Sequence, residues 1–174
     1  MLKPIKKSGG RWLYLPSSYH LYADGSASHI TQDGGWAFIL SSENGIVAQD
    51  SGYICPATNN AMELQAVIEG LKYLKAPSVV KVYSDSAYVV NAMSKQWWVE
   101  WKNNNWVKKT GGVTPNAQLW EQLIALSDFH TEVEFIKVRG HDGDELNERC
   151  DKLAKQARKQ VKQNWKEDAS SSNS

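Results

Sequence analysis

Apolar and polar positions follow two rhythms along this chain, and the switches between them mark its elements. Short apolar runs at 21–23, 36–40 and 46–53, parted by turns containing glycine, aspartate and asparagine, predict three strands of a meander. Met62, Leu64, Ala66, Ile68, Leu71 and Leu74 then recur at helical spacing, with Thr58 placed to cap the helix and Pro77 beyond its end. The run VVKVYS at 79–84 has strand length, and a short helix follows over 86–93. Thr114 sets a capping side chain before Pro115, a residue suited to a first helical turn, which predicts a helix through Ala125. A strand returns at 132–138. A last helix runs from Asp144 to about Val161, with Leu146, Cys150, Leu153, Ala157 and Val161 on one face. Strands joined first by hairpins and then by helices imply an α/β fold with a mixed sheet covered by helices.

Composition narrows the picture. At 174 residues, 41% hydrophobic and 22% charged, the chain suits one globular domain and excludes general disorder. No apolar run approaches the roughly 20 residues of a membrane helix. The net charge of +1 leaves nucleic-acid contact to local basic patches. Cys55 and Cys150 form neither a disulfide framework nor a zinc pattern, which points to a reducing, cytoplasmic setting. The organisation expected is a basic N-terminal arm over 1–17, one domain over 18–162 and a polar tail over 163–174, acting as a monomer. The arm holds Lys3, Lys6, Lys7 and Arg11 without an acid, and it lacks the apolar stretch of a secretory signal.

Four acids fall where solvated charges are not expected. Asp24 closes the first strand and Asp85 the fourth; if those strands are neighbours, both carboxylates emerge at one sheet edge, where open α/β sheets place ligands. Glu63 stands between Met62 and Leu64 in the first turn of its helix, and Asp151 follows Cys150 in the last helix. Each alone reads equally well as a cap, a turn or a solvated acid. Together they would repel unless cations lay between them, and oxygen donors in an open cleft suit Mg²⁺ or Mn²⁺. Two divalent ions against four carboxylates leave the site formally neutral, the arrangement used for displacement at phosphorus.

The stretches YADGS at 22–26, TNNAMEL at 58–64, YSDSAYV at 83–89 and VRGHDGDELNERCDKLA at 138–154 resemble type 1 ribonuclease H in order and spacing. The resemblance covers about 21 to 158, and the last motif is its most specific part. It implies a ribonuclease H-like fold with a five-stranded mixed sheet, flanking helices and a basic handle. It implies endonucleolytic hydrolysis of the RNA strand of an RNA–DNA hybrid, leaving 5′-phosphate and 3′-hydroxyl ends. Asp24, Glu63, Asp85 and Asp151 fall on the family's metal ligands, for two Mg²⁺ that Mn²⁺ can replace. His141 falls on its loop histidine, which assists proton movement and product release. Thr58 and Asn116 match the pocket that grips a DNA phosphate, Asn59 and Asn60 the minor-groove readers, and Trp97 the side chain that packs on the DNA strand. Asn147 matches a residue that supports the site from behind.

The handle is the segment at 95–109, where four lysines against one glutamate carry four tryptophans. Trp101, Trp106 and the nearby Trp120 read as its packing, whereas Trp98 would add a stacking surface only if exposed. Three departures from the family pattern bear on substrate contact and none on a metal ligand. Residues 27–32 read ASHITQ in place of a Gly-Asn-Pro-Gly loop, which leaves His29 or Gln32 as possible substitutes for a base-contacting asparagine. Ala87 replaces a glutamine, and Cys55-Pro56-Ala57 lacks an arginine. Lost affinity would shift toward the arm or toward Lys152, Lys155, Arg158, Lys159 and Lys162, which otherwise form a solvated helix face. Two other readings are a catalytically silent hybrid-binding module and a strand-transferase or resolvase sharing the fold.

Overall fold

Every apolar run becomes a strand, and hairpin pairing carries three of them past their apolar centres. The computed structural model of the chain describes residues 3–6, 12–139 and 144–171. Two short strands, β1 (Lys3–Lys6) and β2 (Trp12–Leu15), pair antiparallel with Ile5 opposite Leu13. Part of the basic arm is therefore a ladder. Its sequence signal is the Ser-Gly-Gly at 8–10 between short runs of strand-forming residues. The main sheet holds β3 (Ser18–Ala27), β4 (Gly34–Ser42), β5 (Gly45–Ile54), β6 (Val79–Ser84) and β7 (Glu132–Lys137). Their order is β5-β4-β3-β6-β7, with β3, β6 and β7 parallel and the β3–β4–β5 meander antiparallel. This is the five-stranded mixed sheet of the ribonuclease H-like fold.

Helices cover both faces. Helix α1 (Asn59–Tyr73) packs on β3 and β4, and α2 (Ala87–Ser94) and α4 (Ala117–Phe129) complete the same layer. Leu21, Leu64, Ile68, Leu71, Val82, Trp120 and Leu123 are wholly buried there. The short α3 (Trp97–Asn103) carries the handle. Helix α5 (Glu145–Ser171) covers the opposite face, where Cys150 and Ala154 pack on Ala37 and Ile39. It runs ten residues past the expected end, because nothing over 162–171 is a glycine or proline that would stop it.

Two further boundaries differ from expectation. Helix α4 starts at Ala117 behind a left-handed Asn116, so Thr114 caps nothing; its buried hydroxyl has no hydrogen-bond partner. Strand β3 continues to Ala27 through its pairing with β4, so Asp24 lies inside the strand and does not close it.

Two glycines let the layers approach. A Cβ on Gly25 would stand 2.3 Å from the backbone of Met62 and Glu63, and one on Gly35 2.2 Å from the Ala154 carbonyl. The first contact seats α1 on one face of the β3–β4 hairpin and the second seats α5 on the other. Gly35→Ala should thus push α5 off the sheet. An overpacking penalty of about 1–3 kcal/mol corresponds to a fall in Tm of roughly 2–10 °C. Thermal denaturation checks this, and an unchanged Tm would contradict the close approach.

Candidate active site

The site forms where one ladder stops and its neighbour goes on. Parallel pairing of β3 with β6 runs from Ser18 opposite Val79 to Tyr22 opposite Tyr83. β6 then ends at Ser84, whereas β3 continues beside β4 with Asp24 opposite Ala37. Asp85 follows immediately, its backbone carbonyl held by Lys137 Nζ at 3.0 Å. Glu63 arrives from α1, whose N-terminus is fixed by Thr58 Oγ1 accepting from Ala61 N at 3.2 Å. It is the fifth helical residue and so lies just past the first turn, because the helix starts at Asn59. One oxygen from each of Asp24, Glu63 and Asp85 lies within 4.8 Å of the others.

Asp151 stands apart from that trio but touches it. It comes from α5 across the sheet, near enough for its negative charge to raise the Asp24 carboxyl pKa, while its Oδ2 receives Lys155 Nζ at 2.8 Å. Asn147, buried one turn earlier, donates its backbone N–H to Asp144. The Cys150 thiol donates to the Ala37 carbonyl at 3.2 Å, and burial followed by the Asp24 charge raises its pKa, so it stays protonated.

Burial makes the cluster energetically unusual. Asp24 and Glu63 are 6% and 5% exposed. The Asp24 carboxyl is pushed up to about 7, first by burial and then by the negative charges of Asp85 and Asp151; the hydrogen bond from Gly25 N pulls the other way. Glu63 is raised well above the usual carboxylate range by burial, then by Asp24 and Asp85. Its Oε2 is buried with no hydrogen-bond partner. An orphaned carboxylate oxygen beside two like charges fits a divalent cation, which would offset most of the trio's charge and complete that oxygen's bonding. The donors are all hard oxygens, suited to magnesium or manganese.

Beside the cluster lies a groove of about 280 Å³ between the β3–β4 turn and the start of α1. Thr58, Asn59 and Asn60 line it, together with His29 and Gln32 from the altered loop. The loop is fastened on both sides: Ala27 N donates to Asn59 Oδ1 at 3.1 Å, and Ala57 N to the Gln32 carbonyl at 2.8 Å. Asn116 is not part of this groove; its amide donates to Tyr88 Oη at 3.3 Å.

In the handle, Trp97 is 43% exposed beneath Lys95 Nζ, 5.4 Å from the ring centroid. Trp101 and Trp106 pack inward, Trp101 against Trp120 at 5.4 Å. Trp98 also lies partly buried against the core, so it offers little stacking surface. His141 lies outside the described residues.

The family profile for RNase H matches residues 16–159. The chain belongs to the ribonuclease H family. It is 45% identical to the ribonuclease H of Thermoanaerobacter sp. (strain X514) over 84% of this chain and 94% of that protein. It superposes on LC9-RNase H1, a type 1 ribonuclease H with the type 2 active-site motif, with a TM-score of 0.71 at 28% identity, covering 82% of this chain and 72% of the other. LC11-RNase H1, solved in complex with an RNA/DNA hybrid, shares the fold with a TM-score of 0.64 at 21% identity, over 82% and 98% of the two chains. As a ribonuclease H the chain is an enzyme. Among the described residues no helix is long and apolar enough to cross a membrane.

The raised Asp24 carboxyl has a measurable sign. Below about pH 4 it is protonated in both folded and unfolded chains; as pH rises toward 7 the unfolded chain ionises first and the fold loses stability. In EDTA, Asp24→Asn should therefore gain stability over wild type progressively between pH 4 and 7, and saturating Mg²⁺ should reverse the order at pH 8. Denaturant unfolding across that range checks it; a pH-independent difference would contradict the buried cluster.

Proposed function

We propose that the protein hydrolyses the RNA strand of RNA–DNA hybrids as an endonuclease, leaving 5′-phosphate and 3′-hydroxyl ends. The observation that carries this reading is the convergence of Asp24, Glu63 and Asp85 with a buried, unpartnered Glu63 oxygen, in a chain of the ribonuclease H family. Asp24, Glu63, Asp85 and Asp151 would hold two Mg²⁺, with Mn²⁺ able to substitute. When bound, such a pair activates water as the nucleophile and takes up charge on the leaving 3′ oxygen.

The chain's own residues do the rest. Burial holds Asp24 and Glu63 in a fixed, weakly hydrated frame, with Asp85 and Asp151 half-buried at its rim, so little reorganisation accompanies the reaction. Lys155 holds Asp151 through Oδ2. His141, next to Asp142 in a glycine-flanked stretch, is suited to carry a proton away from the cleavage site. Asn59 and Asn60 offer amides to a minor groove, where the 2′-hydroxyl separates RNA from DNA. Thr58 at a helix N-terminus suits a DNA-strand phosphate. Asn116, engaged with Tyr88, would join it only after turning away from that hydroxyl. Trp97 presents an indole face to the DNA strand. The enzyme acts as a cytoplasmic monomer over the domain at 18–162, flanked by the segments at 1–17 and 163–174.

The reading is tested by Mg²⁺-dependent cleavage of labelled hybrid, duplex RNA and duplex DNA. Only the RNA of the hybrid should be cut, and equal cleavage of duplex DNA would replace this reading with a broader nuclease. Asp85→Asn should lower kcat by at least about a thousandfold while hybrid binding persists; residual activity within about tenfold of wild type would refute the ligand assignment. Trp97→Ala should raise KM several-fold with kcat nearly unchanged, in line with the roughly 1–3 kcal/mol of one stacking contact. An unchanged KM would remove Trp97 from the substrate surface.

A further inference from the structure

Among the described side chains of α5, Arg158 is the cation that reaches the strand of Asp24 without a carboxylate to meet. It lies seven residues beyond Asp151, about two turns along the same stripe of the helix. Its Nη1 donates to Ser26 Oγ at 3.1 Å. Ser26 is buried and follows Asp24 by two positions in β3, so both side chains leave the same face of the strand, roughly 7 Å apart. The backbone fixes this placement. Gly35, opposite Ser26 in the ladder, has its missing Cβ position filled by the Ala154 carbonyl and, at 2.5 Å, by Arg158 N.

The neighbouring cations are differently disposed. Lys155 is paired with Asp151, and Lys152 and Lys159 project from an exposed stripe of the helix. Arg158 is half-buried and makes no ion pair among the described residues, and the Ser26 hydroxyl uses only one of its five donors. A guanidinium so held is a preorganised fork for a planar or tetrahedral oxyanion. It also stands beside a cluster of acids that repels a polyanion everywhere except at its cations.

We propose that Arg158, steered by Ser26, grips a backbone phosphate of the nucleic-acid strand about one nucleotide from the carboxylate cluster. The contact positions the strand and does not take part in bond cleavage. This assignment rests on the reading of the site as one that cuts an RNA–DNA hybrid.

The test uses the full chain and a fluorescein-labelled hybrid, with KM and kcat followed across a salt series. Arg158→Gln should raise KM about fivefold at 0.1 M salt, keep kcat within about twofold, and reduce the slope of log affinity against log salt by about one unit. Arg158→Lys keeps the charge and should preserve the slope while losing part of the affinity. Ser26→Ala, which frees the guanidinium but leaves its charge, should likewise preserve the slope. Thermal unfolding of each variant separates packing from binding, because a merely structural arginine would lower Tm without changing the salt slope. An unchanged slope in Arg158→Gln overturns the proposal whatever its Tm. A wild type that neither binds nor cuts hybrid would instead sink the functional reading, a result distinct from an active wild type indifferent to Arg158.

Discussion

Mutual repulsion among buried carboxylates is the constraint around which this molecule is arranged. Asp24, Glu63 and Asp85 bring three acidic oxygens to within 4.8 Å, with Asp151 at the margin, and burial cuts Asp24 and Glu63 off from water. Such a cluster opposes folding by itself, so the surrounding scaffold must be stable enough to hold it. The fully buried layer formed by Leu21, Leu64, Ile68, Val82 and Trp120 against the sheet supplies that support on the α1 side, and Ala37, Ile39, Cys150 and Ala154 supply it on the α5 side. A divalent cation at the trio would return the stability surrendered at the edge and so link folding to metal binding.

The four acids come from three separate elements and the turn that follows β6, and the sheet topology makes their meeting possible. A ladder that ends at Tyr22 opposite Tyr83 leaves a step at the edge, and Asp24 and Asp85 stand on either side of it. Helices can reach that step from both faces only because nothing larger than hydrogen occupies positions 25 and 35. The acidic cluster of this chain thus depends on two backbone approaches that carry no chemistry themselves.

Much of this was legible in the sequence. Strand β6 was readable to the residue from VVKVYS, because a short apolar run bounded by Pro77 and the Ser84-Asp85-Ser86 turn leaves little freedom. Thr58 was readable as a cap because threonine before a helical period has few other uses. What local pattern could not carry was long-range pairing. The extension of β3 to Ala27 depends on Gly34 and Gly35 opposite, so Asp24 looks terminal when it is interior. Thr114 looked like a cap because threonine before proline fits a helix start, whereas the start is set by Asn116, a residue type that tolerates the left-handed turn. The basic residues of α5 were indistinguishable in one dimension. Only the contact with Ser26, more than a hundred positions away, separates Arg158 from its lysine neighbours.

The turn joining β3 to β4 lies between these two fixed points. Gly25 anchors its entrance and Gly35 its exit, while His29 through Gln32 face solvent beside the groove. Its backbone is tied internally and to Ala57, but its outward side chains press on nothing in the core. The tip of this turn is therefore mechanically separable from the carboxylate edge: its side chains can be exchanged like bits on a rigid shank, leaving the two helix seats undisturbed.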